Sequence, residues 1–270
     1  MTISKSNTEE LLVDQEGHIL TLTLNRPDRL NAISRPMLKE LSAKLVEANE
    51  DPEIRVIILT GTGRGFCSGL DLVDSRESGI GSGAASDQPR QLFSIRNAPI
   101  TVMWNLDKPV IAAVNGGAAG YGMDLALLAD MRIAAESAKM AAVMVKRAIV
   151  PESGGTWLLP RLIGWGKAAE IYYRGRTLNA KESLEMGLVN IVVPDDQLMP
   201  TAREWAREIA ENAPVAVQTT KRMMRMGMDE TFDTAVDHLM VHLSGLFASE
   251  DFKEGVRSFM EKRSPKFTGR

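Results

Sequence analysis

The amino-acid sequence predicts an α/β protein, and three observations carry that prediction. Leu11 to Asn25 alternates apolar and polar residues on both sides of Glu16-Gly17, the period of half-buried strands folded into a hairpin. Val56-Ile57-Ile58-Leu59-Thr60 and Val110 to Val114 are short, continuous apolar runs rich in β-branched residues, as expected of strands covered on both faces. Elsewhere apolar residues recur at helical spacing, so that buried strand, glycine turn and helix alternate along the chain.

Taken in order, the hairpin is followed by Asn25-Arg26-Pro27-Asp28, where the pattern changes. Ser34 is placed to cap a helix with Pro36 in its first turn, Leu38, Leu41, Leu45 and Ala48 form its apolar stripe, and Asp51-Pro52 should end it. Between the two buried strands, Gly79 to Ser86 lacks periodicity and reads as a surface loop, followed by a helical segment over about Pro89 to Leu106. Asn115 to Gly122 is a glycine-rich turn leading to a helix over Met123 to Ala129 and a short strand at Arg132-Ile133-Ala134. From Gly154 to the end the sequence reads as helical apart from Val189 to Val193. The expected organisation is a core over residues 1–196, without a repeat of fixed period, and a helical region over 197–270.

Composition excludes several function classes. The 270 residues are 44% hydrophobic and 25% charged, an ordinary globular balance and not that of a disordered or fibrous chain. Thirty-two Lys and Arg stand against thirty-five Asp and Glu, a formal charge of -3, so no global positive field attracts nucleic acid or an anionic membrane, and an anionic ligand must be met by a local cluster. The single Cys67 has no partner for an internal disulfide and fits a reducing compartment. No stretch approaches the roughly 20 apolar residues of a membrane span, and MTISKSNTEE has neither a signal core nor transit-peptide character. A cytoplasmic location is the expectation.

Several familiar chemistries find no support. Gly61-Thr62-Gly63-Arg64-Gly65-Phe66 begins as a dinucleotide fingerprint, but its sixth position is Phe66, and the acids at Asp71 and Asp74 come too soon to meet a ribose. Neither a Walker-type phosphate loop nor a serine nucleophile elbow occurs. His238 and His242 have the spacing of a zincin pair without the intervening glutamate, so a structural role is the better reading and no metal site is expected. His18 falls beside a hairpin turn, where solvent is expected, and Met223, Met224, Met226 and Met228 suit an adaptable core or interface.

What remains is a pair of turns. Phe66-Cys67-Ser68-Gly69-Leu70-Asp71-Leu72 and the stretch from Asn115 to Asp124 each follow a buried strand. Each can aim one backbone N–H at a common point, and two such donors make an oxyanion hole. With these turns the sequence resembles the crotonase family, also called the enoyl-CoA hydratase/isomerase family. The resemblance is carried, in order, by Asn25-Arg26-Pro27 with Leu30-Asn31-Ala32, by the Phe66 to Leu72 turn, by Ala112 to Ala126, by Pro151 to Gly164, and by Glu254 to Phe267.

The resemblance implies a crotonase-like superhelix of ββα turns with a helical C-terminal trimerisation region, and an acyl-CoA thioester as ligand. Coenzyme A is then part of the substrate and no separate cofactor is expected; the expected assembly is a homotrimer or a hexamer made as a dimer of trimers. It also implies roles: Leu70 and Tyr121 as the oxyanion N–H donors, and Arg26, Arg29, Leu30, Ala32, Ser68, Asp71 and Leu72 near the CoA nucleotide. Phe259 and Lys262 are implied to lie near the adenosine phosphate of an adjacent subunit. Tyr121 stands where glycine is usual, but the donor is the main chain.

The acids separate two reactions. A hydratase of the family carries two glutamates, one at the position of Asp124 and one at that of Met144; here only the first keeps a carboxylate, shorter by one methylene. Glu152, directly after Pro151, matches the catalytic acid of single-acid enoyl-CoA isomerases in the family. Glu152 and Asp124 are therefore the expected catalytic residues, with Met144 lining the substrate pocket. Read without the resemblance, Asp124 is a carboxylate in a helix's first turn, stabilised there in any case, Glu152 is a loop acid before a possible N-cap at Ser153, and Arg26, Arg29 and Arg64 are solubilising charges. The chemistry points the same way as the resemblance. Two N–H donors on the thioester carbonyl stabilise an enolate by about 3 to 4 kcal/mol each, and one carboxylate can carry a proton from C2 to C4. Hydration additionally needs a water held and deprotonated. Isomerisation of an enoyl-CoA is the expected activity, a hydratase the alternative, and a non-catalytic acyl-CoA-binding scaffold the third reading; the fold by itself does not fix the reaction.

Overall fold

The computed structural model describes residues 8–71 and 98–270. The expected loop at Gly79 to Ser86, the first part of the Pro89 to Leu106 segment and Leu72 lie outside the described residues. In chain order the elements are β1 (Leu11–Glu16), β2 (Ile19–Leu24), α1 (Arg35–Glu50), β3 (Val56–Gly61), β4 (Gly65–Cys67), α2 (Pro99–Asn105), β5 (Val110–Val114) and β6 (Gly117–Ala119). Then come α3 (Tyr121–Leu127), β7 (Met131–Ala135), β8 (Lys139–Ala141), α4 (Gly155–Ile163), α5 (Trp165–Tyr173), β9 (Thr177–Asn179), α6 (Ala180–Met186) and β10 (Ile191–Val193). Four helices close the chain: α7 (Leu198–Ala210), α8 (Pro214–Met226), α9 (Phe232–Phe247) and α10 (Glu250–Glu261).

Two sheets organise the core. The larger runs β1-β2-β3-β5-β7-β10, antiparallel only at the β1–β2 hairpin; the smaller runs β4-β6-β8-β9, parallel except at β8–β9. Each of β3, β5 and β7 is followed within a few residues by a partner in the second sheet, and repetition of that step winds the chain into a superhelix of ββα turns.

The apolar runs become strands because both of their faces are buried. In β3, Ile57 and Leu59 join the main core, whereas Val56 and Ile58 face a second cluster with Ile111, Ala113 and Ile133. That second cluster is covered by α7, whose Leu198, Ala202, Ala206 and Ala210 recur every four residues. This spacing puts them on one helix face, and their small size lets the helix lie close on the sheet. Although α7 lies beyond residue 196, its packing makes it part of the core. The predicted α1 forms as expected: Ser34 Oγ accepts from the Met37 N–H at 3.2 Å, and Met37, Leu41, Leu45 and Ala48 are buried.

Several local expectations are corrected. The turn at Asn115 to Gly122 contains β6, and its helix begins at Tyr121 rather than Met123. The C-terminal half holds β9 besides β10. These strands are three residues long and show no periodicity of their own; their neighbours in the sheet define them. Only Pro99–Asn105 of the Pro89 to Leu106 segment is a described helix. His18 is half-buried, its Nδ1 2.7 Å from the Glu53 carbonyl oxygen, rather than simply solvated. Ser153 does not cap α4: it is buried, and Gly154 at φ 85° occupies the cap.

Beyond α7 the helices depend on polar anchors. Lys221 on α8 reaches Asp130 at 2.7 Å and the Lys108 carbonyl oxygen at 2.9 Å, and Arg225 donates to the carbonyl oxygens of Trp104 and Leu106. No residue of α9 is buried and α10 buries only Asp251 and Ser258. Phe232, Met240, Val241, Phe247 and Phe259 stand exposed there.

Candidate active site

The two glycine turns meet where β4 leads out of the smaller sheet and α3 begins. Leu70 forms a one-residue parallel bridge with Ile33: the Ile33 N–H donates to the Gly69 carbonyl at 2.8 Å, and the Asp71 N–H donates to the Ile33 carbonyl at 3.0 Å. In such a bridge the central residue's own N–H points to the other side, so the Leu70 amide is left facing away from Ile33. The turn needs Gly69 at φ 106°, a conformation that side chains avoid. A Cβ on Gly69 would stand 3.7 Å from the Tyr121 amide nitrogen, which places the second turn directly against the first. The approach is closest at Gly122, where a Cβ would lie 2.7 Å from Cys67 Cβ and 2.8 Å from Cys67 C. Among the described residues, no protein acceptor is paired with the Leu70 or Tyr121 N–H. Met144 closes this side: it is buried, and its Sδ is 3.9 Å from where a Cβ on Gly120 would be.

Two carboxylates adjoin the turns in different surroundings. Asp124 on α3 is 1% exposed, whereas Glu152 is exposed. Burial first and the charge of Glu152 second push the Asp124 carboxyl up to about 7, while the Ser153 amide, the Tyr172 hydroxyl and the Gly155 amide hold it down in part. None of these donors reaches full hydrogen-bond geometry, so both Asp124 oxygens and the hydroxyls of Ser153 and Tyr172 are buried without a partner. Burial and the charge of Asp124 drive the Tyr172 phenol far above its usual range. Beside Ser153 and Gly154 opens a cavity of about 250 Å³ walled by Ile100, Trp104, Leu128, Trp157 and Leu158. Trp104 and Trp157 meet edge to face at 4.9 Å, and Arg161 stacks on Trp157 at 4.0 Å. A carbonyl oxygen between two unpaired N–H donors, beside a carboxylate and an apolar recess, is the arrangement that stabilises an enolate.

Comparisons with known proteins identify the family. A family model for enoyl-CoA hydratase/isomerase matches residues 14–270. The chain belongs to the enoyl-CoA hydratase/isomerase family. It is 39% identical over 262 residues to 1,2-epoxyphenylacetyl-CoA isomerase of Escherichia coli (strain K12), covering 97% of this chain and 99% of that protein. It is 37% identical over 254 residues to the short-chain-enoyl-CoA hydratase of Clostridium acetobutylicum, covering 94% and 95% respectively. The crystal structure of an enoyl-CoA hydratase from Bacillus anthracis superposes with a TM-score of 0.87 at 37% identity, over 97% of this chain and all of that one. Relatives of both reaction types are thus equally near.

Of the residues expected at a nucleotide of CoA in this hydratase/isomerase chain, most are neighbours. Ser68 donates through Oγ to the Arg29 carbonyl at 3.2 Å and through its amide to the Leu30 carbonyl at 3.0 Å, which joins Arg29, Leu30 and Ala32 to the Ser68 to Asp71 turn. Asn31, buried and left-handed, ties this segment to the stretch leading into β4: its Nδ2 donates to the Thr62 and Gly65 carbonyls at 2.9 and 2.7 Å. Arg26 is not a free cation. Its guanidinium lies 3.0 Å from Glu10, 3.0 Å from Asp71 and 2.7 Å from the Ala32 carbonyl, so it ties the loops together, while Arg29 and Arg64 are exposed. Phe259 and Lys262 are not brought to the turns within this one chain. Phe259 lines a separate cavity of about 1050 Å³ among α8, α9 and α10, whose walls include no residue of either turn. Sequence reasoning missed Ser153 and Tyr172 as neighbours of Asp124 and the two tryptophans of the recess; none of them carries a local pattern, and only the tertiary fold assembles them.

Proposed function

We propose that this chain shifts the double bond of an enoyl-CoA thioester, with the Leu70 and Tyr121 N–H groups receiving the thioester oxygen and Glu152 moving the proton. The observation that carries the reading is Met144: a buried thioether stands beside Gly120, at the place where a two-carboxylate hydratase of the family has its second glutamate. Glu152 is the exposed carboxylate next to the turns, able to reach a bound ligand, whereas Asp124 is enclosed. The recess at Trp104 and Trp157 then receives the acyl group, and the cationic edge of Arg29 and Arg64 faces the CoA phosphates. One chain-specific observation favours a hydratase as second reading: Asp124 and Glu152 are near enough for the charge of one to raise the pKa of the other, so the pair can grip one water. The relatives' names include both reactions.

Incubation with a 3-enoyl-CoA and a 2-enoyl-CoA, read by mass, separates the readings. Isomerisation conserves mass and is the expected result with the 3-enoyl ester; gain of one water with the 2-enoyl ester and no isomerisation favours the hydratase. Absence of both reactions overturns the enolate reading and leaves an acyl-CoA-binding scaffold. The exposed apolar residues of α9 and α10 further support self-assembly as a trimer or a dimer of trimers, which would cover an area that a monomer seldom leaves open. Static light scattering is expected to give three or six chains, and a monomer at micromolar concentration refutes it.

A further inference from the structure

Besides Tyr121 Oη, four buried oxygens of the site have no hydrogen-bond partner: both carboxylate oxygens of Asp124, Ser153 Oγ and Tyr172 Oη. Buried polar atoms are satisfied with few exceptions, because leaving one unpaired forfeits its hydration without return. These four come from separate parts of the chain, Asp124 from α3, Ser153 from the segment before α4, and Tyr172 from the penultimate position of α5. Gly155 opens the space between them. A Cβ at Gly155 would stand 2.9 Å from Asp124 Cγ and closer still to both Asp124 Oδ1 and the Tyr172 hydroxyl. The phenol and the carboxyl therefore converge on a gap that only glycine leaves clear. Tyr172 is 7% exposed and Asp124 1%, so water does not compete freely for either.

We propose that Tyr172 is a positioning residue of this site, its hydroxyl donating to the Asp124 carboxyl across the Gly155 gap and fixing the direction in which that carboxyl faces Glu152. The inference rests on the reading of Asp124 and Glu152 as the acid edge of the active site. The groups acting on Asp124 are Glu152 from the segment before α4, the Ser153 and Gly155 amides, and Tyr172 from α5. Tyr121 of α3 is also near enough to Cys67, Asp124 and Glu152 for each of their charges to oppose ionisation of its phenol. Glu152 opposes ionisation of Asp124 and Tyr172 favours it, so the phenol offsets part of the repulsion between the two acids. A tyrosine present merely for packing would do none of this, since its ring would serve as well without the oxygen.

The test titrates Asp124 directly. In protein carrying carboxyl-¹³C aspartate, the Asp124 signal is the one lost in Asp124→Asn, and its midpoint in the otherwise unaltered chain is expected near 7. Tyr172→Phe removes the donor and should raise that midpoint by about one pH unit or more, because a hydrogen bond to a carboxylate favours its charged form. The pH profile of turnover should shift in the same direction. An unchanged midpoint in folded Tyr172→Phe overturns the proposal. Should that variant not fold, 3-fluorotyrosine at position 172 keeps the ring and strengthens the donor: a lowered midpoint supports the pairing and an unchanged or raised one overturns it. The titration needs no substrate, so a failure to isomerise enoyl-CoA refutes the reaction assigned above without touching this result.

Discussion

Gly122→Ala adds one methyl group at the point where α3 touches the first glycine turn. In the interior of a free helix this change is favourable by about 1 kcal/mol, since alanine is the better helix former. Here the new Cβ would stand 2.7 Å from Cys67 Cβ and 2.8 Å from Cys67 C, and closer still to the Cys67 carbonyl oxygen. Carbon atoms rest about 3.5 to 4.0 Å apart, so α3 or the turn has to move by roughly 1 Å. Both contacts are to atoms of a fully buried residue that follows the equally buried Phe66, which leaves no flexible side chain to give way. Overpacking of this kind costs about 1 to 3 kcal/mol, enough to outweigh the helical gain. The displacement separates the Tyr121 amide from the Leu70 amide, and an error of about 1 Å in such a pair lowers turnover on the order of 10²-fold. Urea denaturation together with kcat for 3-enoyl-CoA isomerisation reads both effects. Gly166→Ala in α5, where no atom lies within 4 Å, is the control, expected to keep turnover and to be as stable as the parent or up to about 1 kcal/mol more so. Parental stability and turnover in Gly122→Ala would refute the steric argument and the meeting of the two turns on which it depends.

Glu152→Gln is expected to lower isomerisation on the order of 10² to 10⁴-fold, the usual contribution of a positioned acid–base group, with little change in CoA-ester binding; near-parental turnover removes Glu152 from the chemistry. Asp124→Asn should stabilise the protein at alkaline but not at acid pH. The folded carboxyl binds its proton up to about 7, against 3.8 ordinarily, so between those values the native state holds a proton that the unfolded state has released, and stability falls as pH rises through the window. The full deficit, at most about 4 kcal/mol, is present above pH 7 and absent below pH 4; an Asp124→Asn variant less stable than the parent at pH 8 in thermal denaturation refutes the assignment.

The parts of the fold visible in the sequence are those whose burial is written into consecutive residues. β3 and β5 read as apolar runs because alternate side chains enter two different cores, Ile57 and Leu59 on one side of the sheet and Val56 and Ile58 on the other. α1 was visible for a complementary reason, a cap at Ser34 and a stripe on one face only. β4, β6, β8 and β9 were not. At three residues each they are shorter than any period can reveal, and Gly117-Ala118-Ala119 becomes a strand only because β4 and β8 lie on either side of it. The candidate site divides in the same way. The turns announce themselves through glycine, since φ 106° at Gly69 and the contact of Gly122 with Cys67 admit little else. Residue type, by contrast, says nothing about enclosure, so neither the burial of Asp124 nor the engagement of Arg26 with Glu10 and Asp71 could be read in advance.

The contrast between the two carboxylates gives the proposed mechanism its electrical logic. The charge of Glu152 opposes ionisation of Asp124, and that opposition is lifted when Glu152 is neutralised. When Glu152 takes the α-proton of a bound thioester, its field at Asp124 disappears and ionisation of Asp124 becomes easier at that moment. When Glu152 returns the proton to C4, the repulsion is restored and favours a protonated Asp124. With Asp124 protonated, the proposed cycle carries a single negative charge throughout, which passes from Glu152 to the thioester oxygen between the two N–H donors and back. A hydratase of the two-acid kind keeps two acids working on one water; with Met144 uncharged and Asp124 enclosed by Gly155, Ser153 and Tyr172, the reading proposed above leaves that work to the one exposed carboxylate, Glu152.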